Sequence, residues 1–163
     1  MSRLELLKQY WDFTYDQEDW FPPLKDALNG VTAAQADWRP EGEAANTIRA
    51  TVHHLVFYKE RFLQALQTGD AGYPPGLTND DTFRADGTDE ASWTAVRARL
   101  EAAHRSLRAL LGAMTESDLE KRVPKTETGQ WFMSLIAHDA YHTGEIVQIR
   151  KLQGSWPARR SFE

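Results

Sequence analysis

The sequence has 163 residues, the size of one domain, and 41% of them are hydrophobic, which is enough to build a core. The absence of cysteine excludes disulfides, thiolate metal sites and a catalytic thiol, so any metal ion must be bound by His, Asp or Glu. A net charge of -5 argues against a nucleic-acid groove. Because no segment resembles a leader or reaches transmembrane length, we expect a single cytoplasmic domain over residues 1–163 that binds neither nucleic acid nor a membrane.

Helix signals dominate the chain and strand signals are scarce, which predicts an all-α fold. Ser2 is placed to cap a first helix. The proline pair at 22–23 interrupts this helix, and a bent continuation to about Leu28 is compatible with prolines in a first turn. Thr32 and Gln35 have the spacing of a capping box, which predicts one further short turn.

The second predicted helix begins at about Asn46 or Thr47 and ends at Thr68, before Gly69. Residues 69–89 are rich in glycine and proline and have no helical period, so this connection is too long for a tight hairpin. It could span up to about 66–70 Å if extended, whereas a helix of about 22 residues is roughly 33 Å long. We therefore expect a crossover that leaves the second and third helices parallel.

The third predicted helix begins near Thr88 or Asp89. Its apolar positions recur in steps of three and four, which is typical of a buried seam. The members of this seam are Trp93, Val96, Leu100, Ala103, Leu107, Leu110 and Met114. The fourth predicted helix runs from about Gln130 to Gln153 and is followed by Gly154 and Pro157.

The fourth helix carries the residues that point to chemistry. At about 100° per residue, with His138 at zero, the apolar positions Trp131, Leu135, Ile149 and Leu152 lie within about 60° of it. His142 then lies at about 40° and Glu145 at about 340°, so three ionisable groups are expected on the apolar face. Burying them is costly unless they are satisfied, and a divalent metal ion would satisfy them. Two histidines at i and i+4 can reach one ion.

A third ligand would have to come from a facing helix. The second helix offers His53 and His54, and periodicity does not choose between them, although one of the two should be partly exposed. His104 on the third helix is interpreted as a flanking or hydrogen-bonded histidine. The charged run at 59–61 predicts a solvated helix face, and Asp139 and Arg150 on the fourth helix are expected at the surface.

Two segments resemble the signatures of a known family. "TIRATVHHLVFYKERFL" and "SLIAHDAYHTGEIVQIRKLQGSWP" are similar to the second-helix and fourth-helix motifs of the DinB/YfiT-like superfamily of metalloenzymes, and the likeness extends along the whole chain. The resemblance implies an up-down-down-up four-helix bundle, homodimers, and a nickel or zinc ion held by three histidines. The family's second-helix ligand directly precedes a leucine, which here makes it His54, and the fourth-helix ligands correspond to His138 and His142. Many members have glutamine where this chain has Glu145.

The resemblance also implies a function. Characterised members include thiol-dependent transferases and isomerases, and others are described as metal-dependent hydrolases. We therefore expect a divalent-metal-dependent thiol S-transferase or hydrolase in stress response or detoxification, acting on a small molecule, with a low-molecular-weight thiol as a candidate partner. Glu145 would serve as a fourth ligand, a catalytic base or a partner of a ligand, and Trp131 and Tyr141 are candidates to line the pocket. The alternative is a non-catalytic metal-binding or dimerisation protein.

Overall fold

A computed structural model describes residues 1–42 and 44–157, and over these ranges the chain is mostly helical. The helices are α1 (Arg3–Tyr15), α2 (Leu24–Leu28), α3 (Ala33–Asp37), α4 (Ile48–Thr68), α5 (Glu90–Ala113) and α6 (Thr128–Leu152). Single 3-10 turns at Asp80–Phe83 and Glu116–Glu120 and a two-stranded antiparallel hairpin, β1 (Arg122–Val123) with β2 (Thr126–Glu127), complete the described elements. The all-α prediction is confirmed. No helix in the described ranges is long and apolar enough to cross a bilayer.

Local capping residues set the helix boundaries. Ser2 accepts a hydrogen bond from the Glu5 amide, and the Glu5 carboxylate accepts one from the Ser2 amide, as a capping box requires. Thr32 caps α3 in the same way, Thr47 caps α4, and Asp89 caps α5. These boundaries agree with the sequence predictions because each capping side chain bonds within its own first turn.

The predicted bent continuation of the first helix is instead a separate helix. α1 ends at Tyr15, and α2 begins only at Leu24, directly after Pro23. Proline has no amide hydrogen to donate and is tolerated best at a helix start, so the proline pair initiates α2 instead of prolonging α1.

Two apolar clusters form the core of the described chain. One joins α2 and α3 to the start of α4 and α5 and the end of α6, and it includes Val52, Trp93 and Ile146. The other joins α1 to the second half of α4 and the first half of α6, and it includes Trp11 and Phe62. Between the residues of these clusters, α4 carries the buried Lys59, and α6 carries the buried Asp139, His142 and Thr143. The fold therefore places a polar layer between two apolar ones.

The buried face of α6 is not the predicted one. Its buried residues centre on Asp139, at about 100° from His138, so the predicted stripe is off by roughly a quarter of a turn. Leu152, predicted inside, is 59% exposed, and His138 is only half-buried. The two histidines thus lie toward one edge of the buried face. The apolar pattern placed the buried face of α6 wrongly because Asp139, a charged residue, was assigned to the surface.

Three charged residues expected at the surface are buried. Lys59 and Asp139 form an ion pair with Nζ and Oδ2 2.6 Å apart, and both side chains are 0% exposed. Lys59 also lies over the Trp11 ring, 4.5 Å from its centroid. Arg150 is buried because its guanidinium donates to the carbonyl oxygens of Ala27 and Ser155, at 2.8 and 2.7 Å. A charged side chain can be buried when a partner elsewhere in the chain satisfies it, and sequence periodicity cannot detect such partners.

Candidate metal centre

The imidazoles of His54 on α4 and of His138 and His142 on α6 meet at one point. The Nε2 atom of His138 lies 2.8 Å from Nε2 of His54 and 3.1 Å from Nε2 of His142. One ligand atom from each ring lies within 4.8 Å of the others, which is close enough for a group that could hold a metal ion. The pairing of His54 with the His-x-x-x-His motif follows from the packing of α4 against α6.

The connection between α4 and α5, residues 69–89, fixes the tautomer of His54. The Thr82 hydroxyl donates its one proton to the carbonyl oxygen of Asn79 at 2.5 Å. Its oxygen lies 2.6 Å from Nδ1 of His54, so this nitrogen must be the donor. The Nε2 atom of His54 is then left with its lone pair directed at the other two rings. Phe83, one residue further on, stacks on the same imidazole with ring centroids 3.9 Å apart.

Glu145 fixes His142 in the same way. Its Oε2 atom lies 2.6 Å from Nδ1 of His142, and because a carboxylate only accepts, the histidine nitrogen donates. In the neutral ring, the Nε2 atom of His142 is then also an acceptor facing the cluster. Glu145 lies behind the ring and outside the group of converging nitrogen atoms. A carboxylate that holds a histidine in this manner is a common partner of metal-binding imidazoles.

The electrostatics of the site favour neutral rings. Burial, with the charges of the neighbouring histidines, lowers the pKa of His54 to about 3. Burial, with His142 and Lys59, lowers the pKa of His138 to about 4. Neutral imidazole is the form that binds metals, and lone pairs on adjacent nitrogen atoms repel one another unless a cation lies between them. The three side chains thus fit a divalent ion in donor type, and His54 and His138 also fit it in protonation.

The lowered pKa values predict how stability depends on pH without metal. Folded His54 and His138 bind protons only well below pH 6.5, whereas the unfolded chain binds them near that value. Stability is therefore complete above about pH 6.5 and falls as the pH drops from there toward 4, by at most about 1.4 kcal/mol per pH unit for each group. Urea unfolding of metal-free protein at pH 7, 6 and 5 measures this slope. A double variant, His54→Ala with His138→Ala, should reduce the slope but not abolish it, because burial also lowers the pKa values of His53 and His104. An unchanged slope would contradict the assignment.

A cavity of about 720 Å³ lies beside the cluster, and His54 and His138 both line it. Trp131 lines it as expected from the sequence. Tyr141, the other predicted pocket residue, does not line it and is 65% exposed. This difference follows from the rotation of the buried face of α6, which turns Tyr141 toward solvent and His138 toward the cavity.

The remaining two histidines lie outside the group. His53 is buried, not partly exposed as predicted, and its Nε2 atom accepts a long 3.5 Å hydrogen bond from the Asp86 amide. His104 is fully buried, and its ring stacks on Trp11 and Tyr15 with centroids 4.6 and 4.1 Å away. Burial lowers its pKa strongly, and neither of its ring nitrogens has a hydrogen-bond partner among the described residues. The expected hydrogen bond at His104 is therefore wrong, whereas its place outside the converging group agrees with its interpretation as a flanking residue.

Sequence reasoning did not identify the contributions of the crossover. Asn79, Thr82 and Phe83 contact His54 or its hydrogen-bond partner, yet they stand in a segment without helical or strand periodicity. Nothing in the local sequence indicates that this turn folds back onto α4, because the contact spans 28 residues. Only the tertiary structure reveals it.

The sequence model of the DinB superfamily matches residues 23–146, which is more than half of the chain and includes all three clustered histidines. The chain therefore belongs to the DinB superfamily, as the sequence resemblance predicted. No curated protein and no solved structure matches it.

Proposed function

We propose that this chain is a divalent-metal-dependent enzyme whose ion is held by His54, His138 and His142, with nickel or zinc as the metal. The observation that carries the proposal is the convergence of three Nε2 atoms from two helices beside a cavity. Three protein ligands leave positions for other molecules, which is typical of catalytic sites and not of structural ones. Membership in the DinB superfamily supports the proposal.

The reaction we propose is thiol S-transfer or hydrolysis, in stress response or detoxification. When bound, the ion would lower the pKa of a water or thiol ligand or polarise a substrate carbonyl. The three histidines would act as neutral donors, and Glu145 would hold His142 in its ligand tautomer. Trp131 would form part of the wall that shields the reacting groups from bulk water.

The test begins with elemental analysis of untagged protein, followed by activity assays with the metal present and after chelation. One panel pairs electrophiles with low-molecular-weight thiols and measures thiol consumption; the other contains esters and amides and measures hydrolysis. Metal-dependent turnover in one panel identifies the reaction class. A tightly bound metal without turnover in either panel would favour the non-catalytic alternative, and absence of metal would contradict the proposal.

Loss of the Glu145 carboxylate is expected to weaken metal binding. Glu145→Ala removes the acceptor 2.6 Å from Nδ1 of His142, so metal affinity should fall about 10- to 100-fold. Glu145→Gln should recover part of the loss because its amide oxygen still accepts. Competition with a chelator measures both, and Glu101→Ala, an exposed carboxylate on α5, is the control. Unchanged affinity with abolished turnover would instead indicate that Glu145 acts as a base.

We also propose the up-down-down-up order of the four long helices. From one contact to the next between α4 and α5, the residue numbers increase on both helices, as expected for a parallel pair. Between α1 and α5, and between α4 and α6, the numbers increase on one helix and decrease on the other, as expected for antiparallel pairs. The pairs are Arg49 with Ser92 and Glu60 with Arg99, Lys8 with Gly112 and Asp16 with Arg105, and His54 with His142 and Phe62 with Trp131. A homodimer stays a prediction, for which sedimentation velocity is the direct measurement.

A further inference from the structure

The chemistry of the cavity beside the histidines indicates what it binds. Its walls come from α4, α6, the crossover and the turn of the β1–β2 hairpin. A volume of about 720 Å³ is in the range of pockets that enclose a small organic molecule. Because His54 and His138 line one part of it, a molecule in the cavity would lie next to the proposed metal centre.

Aromatic rings supply much of the wall. Tyr58, Tyr73 and Trp131 all line the cavity. Trp131 is held by stacking on Phe62, with centroids 4.5 Å apart, and the Tyr58 hydroxyl donates to Asn79 at 3.2 Å. Rings fixed in this way present flat apolar surfaces, which favour a ligand with a planar or apolar body.

The cavity wall carries one acidic and one basic side chain. Asp70 and Lys125 line the cavity, and the Asp70 carboxylate accepts a hydrogen bond from the Gly72 amide at 3.0 Å. This bond leaves the negative charge of Asp70 in place, so an anionic group would have to lie on the Lys125 side of the cavity. Lys125 is exposed, and the structure records no ion pair for it with any residue in 1–42 or 44–157. Two nearby basic residues do have partners, Lys121 with Asp118 and Arg122 with Glu127. Lys125 is thus the cation on this wall that is free to meet a ligand.

We propose that the cavity binds a small organic anion with a flat, apolar body, which packs on the rings of Trp131 and Tyr58 while its anionic group pairs with Lys125. The proposal rests on the proposed function only in that it places the rest of the ligand next to His54 and His138. A ligand of this class is selected by two separate features, the aromatic wall and the lysine, and each can be tested alone.

The experiment uses three probes and isothermal titration calorimetry on the purified protein. The probes are 3-phenylpropionate, its neutral analogue 3-phenyl-1-propanol, and propionate, which has the charge without the ring. 3-Phenylpropionate is expected to bind roughly fivefold more tightly than the alcohol, as one exposed ion pair allows. It should also bind more tightly than propionate, which lacks the ring that packs on the aromatic wall. Lys125→Ala should reduce its affinity to that of the alcohol and leave the alcohol unchanged. Lys121→Ala, which removes a lysine that does not line the cavity, should change neither.

Equal affinities for the acid and the alcohol would overturn the proposal, and so would a preference for the acid that survives in Lys125→Ala. Propionate binding as tightly as 3-phenylpropionate would overturn the role of the rings. Metal content is measured on the same samples, which separates this proposal from the proposed function. Protein without metal that still prefers the acid through Lys125 supports the anion site and contradicts the metalloenzyme; metal-containing protein without the preference does the reverse.

Discussion

Replacing His138 with alanine is expected to weaken divalent-metal binding roughly 100- to 1000-fold, because a zinc-site binding free energy of about 10–16 kcal/mol is shared among about four ligands. His138 is the best of the three ligands to remove. Its Nε2 atom lies close to those of both other histidines, at 2.8 and 3.1 Å. Its ring is also only half-buried, so truncation should cost the fold less than at His54 or His142. Competition against a chelator of known affinity gives the metal dissociation constant.

The matched control is His53→Ala. His53 neighbours His54 on the same helix and is also buried, but it takes no part in the converging group. We expect this variant to bind metal as the parent protein does. Circular dichroism should show that both variants remain helical. If His138→Ala kept the parent's affinity, the three-histidine site would be wrong, whatever the activity assays showed.

Replacing Lys59 with methionine is expected to lower the free energy of unfolding by roughly 3–5 kcal/mol, the usual cost of removing one partner from a buried ion pair. Methionine nearly matches the lysine stem in length, so the loss would come from the charge and not from a cavity. Asp139 would be left buried without its cation, and its Oδ1 atom already has no hydrogen-bond partner among the described residues. Burial raises the pKa of Asp139 and the Lys59 ammonium opposes that rise, so the variant should hold Asp139 protonated to higher pH.

Two further variants distinguish the effect of the buried charge on stability from the effect of removing any lysine. Lys25→Met removes an exposed lysine 3.6 Å from Glu101, and its effect should be under about 1 kcal/mol. Combining Lys59→Met with Asp139→Leu should recover most of the loss, because an apolar pair of similar volume replaces the two charges. Urea unfolding measures all three. A Lys59→Met effect as small as that of Lys25→Met would show that water reaches the pair.

Metal binding should respond to Lys59→Met as well. The ion pair joins α4 to α6, five residues after His54 and one residue after His138. It therefore fixes the relative position of the two helices that supply the three imidazoles. Part of the affinity lost in the single variant should return in the double variant, since apolar packing restores the contact between these helices.

The sequence predicted the local features of this fold well. Capping side chains such as Thr47 and Asp89 act within a single turn, so the bounds of α4 and α5 could be predicted within one or two residues. The long connection between α4 and α5 was predicted from its lack of helical period. The β1–β2 hairpin was not predicted, because two-residue strands carry no alternation that could be detected.

The candidate site was predicted only in part, for physical reasons. The i, i+4 spacing of His138 and His142 indicated a pair, but periodicity could not choose between His53 and His54, and only the family resemblance favoured His54. The structure brings His54 to the pair and leaves His53 outside the group. Partners that lie far apart in sequence, such as Lys59 and Asp139, were not predicted. A hydropathy pattern scores each charged residue separately and contains no information on its ion-pair partner.

The hydrogen bond from His54 to Thr82 makes the linker between α4 and α5 a functional part of the centre. Insertions or deletions at residues 74–77 would lengthen or shorten a segment that does not line the cavity. The same changes at residues 79–83 would remove the Thr82 oxygen and the Phe83 ring from that imidazole and free it to rotate. Evolutionary drift in this linker should therefore be uneven, with insertions and deletions concentrated at residues 74–77 and residues 79–83 constant in length.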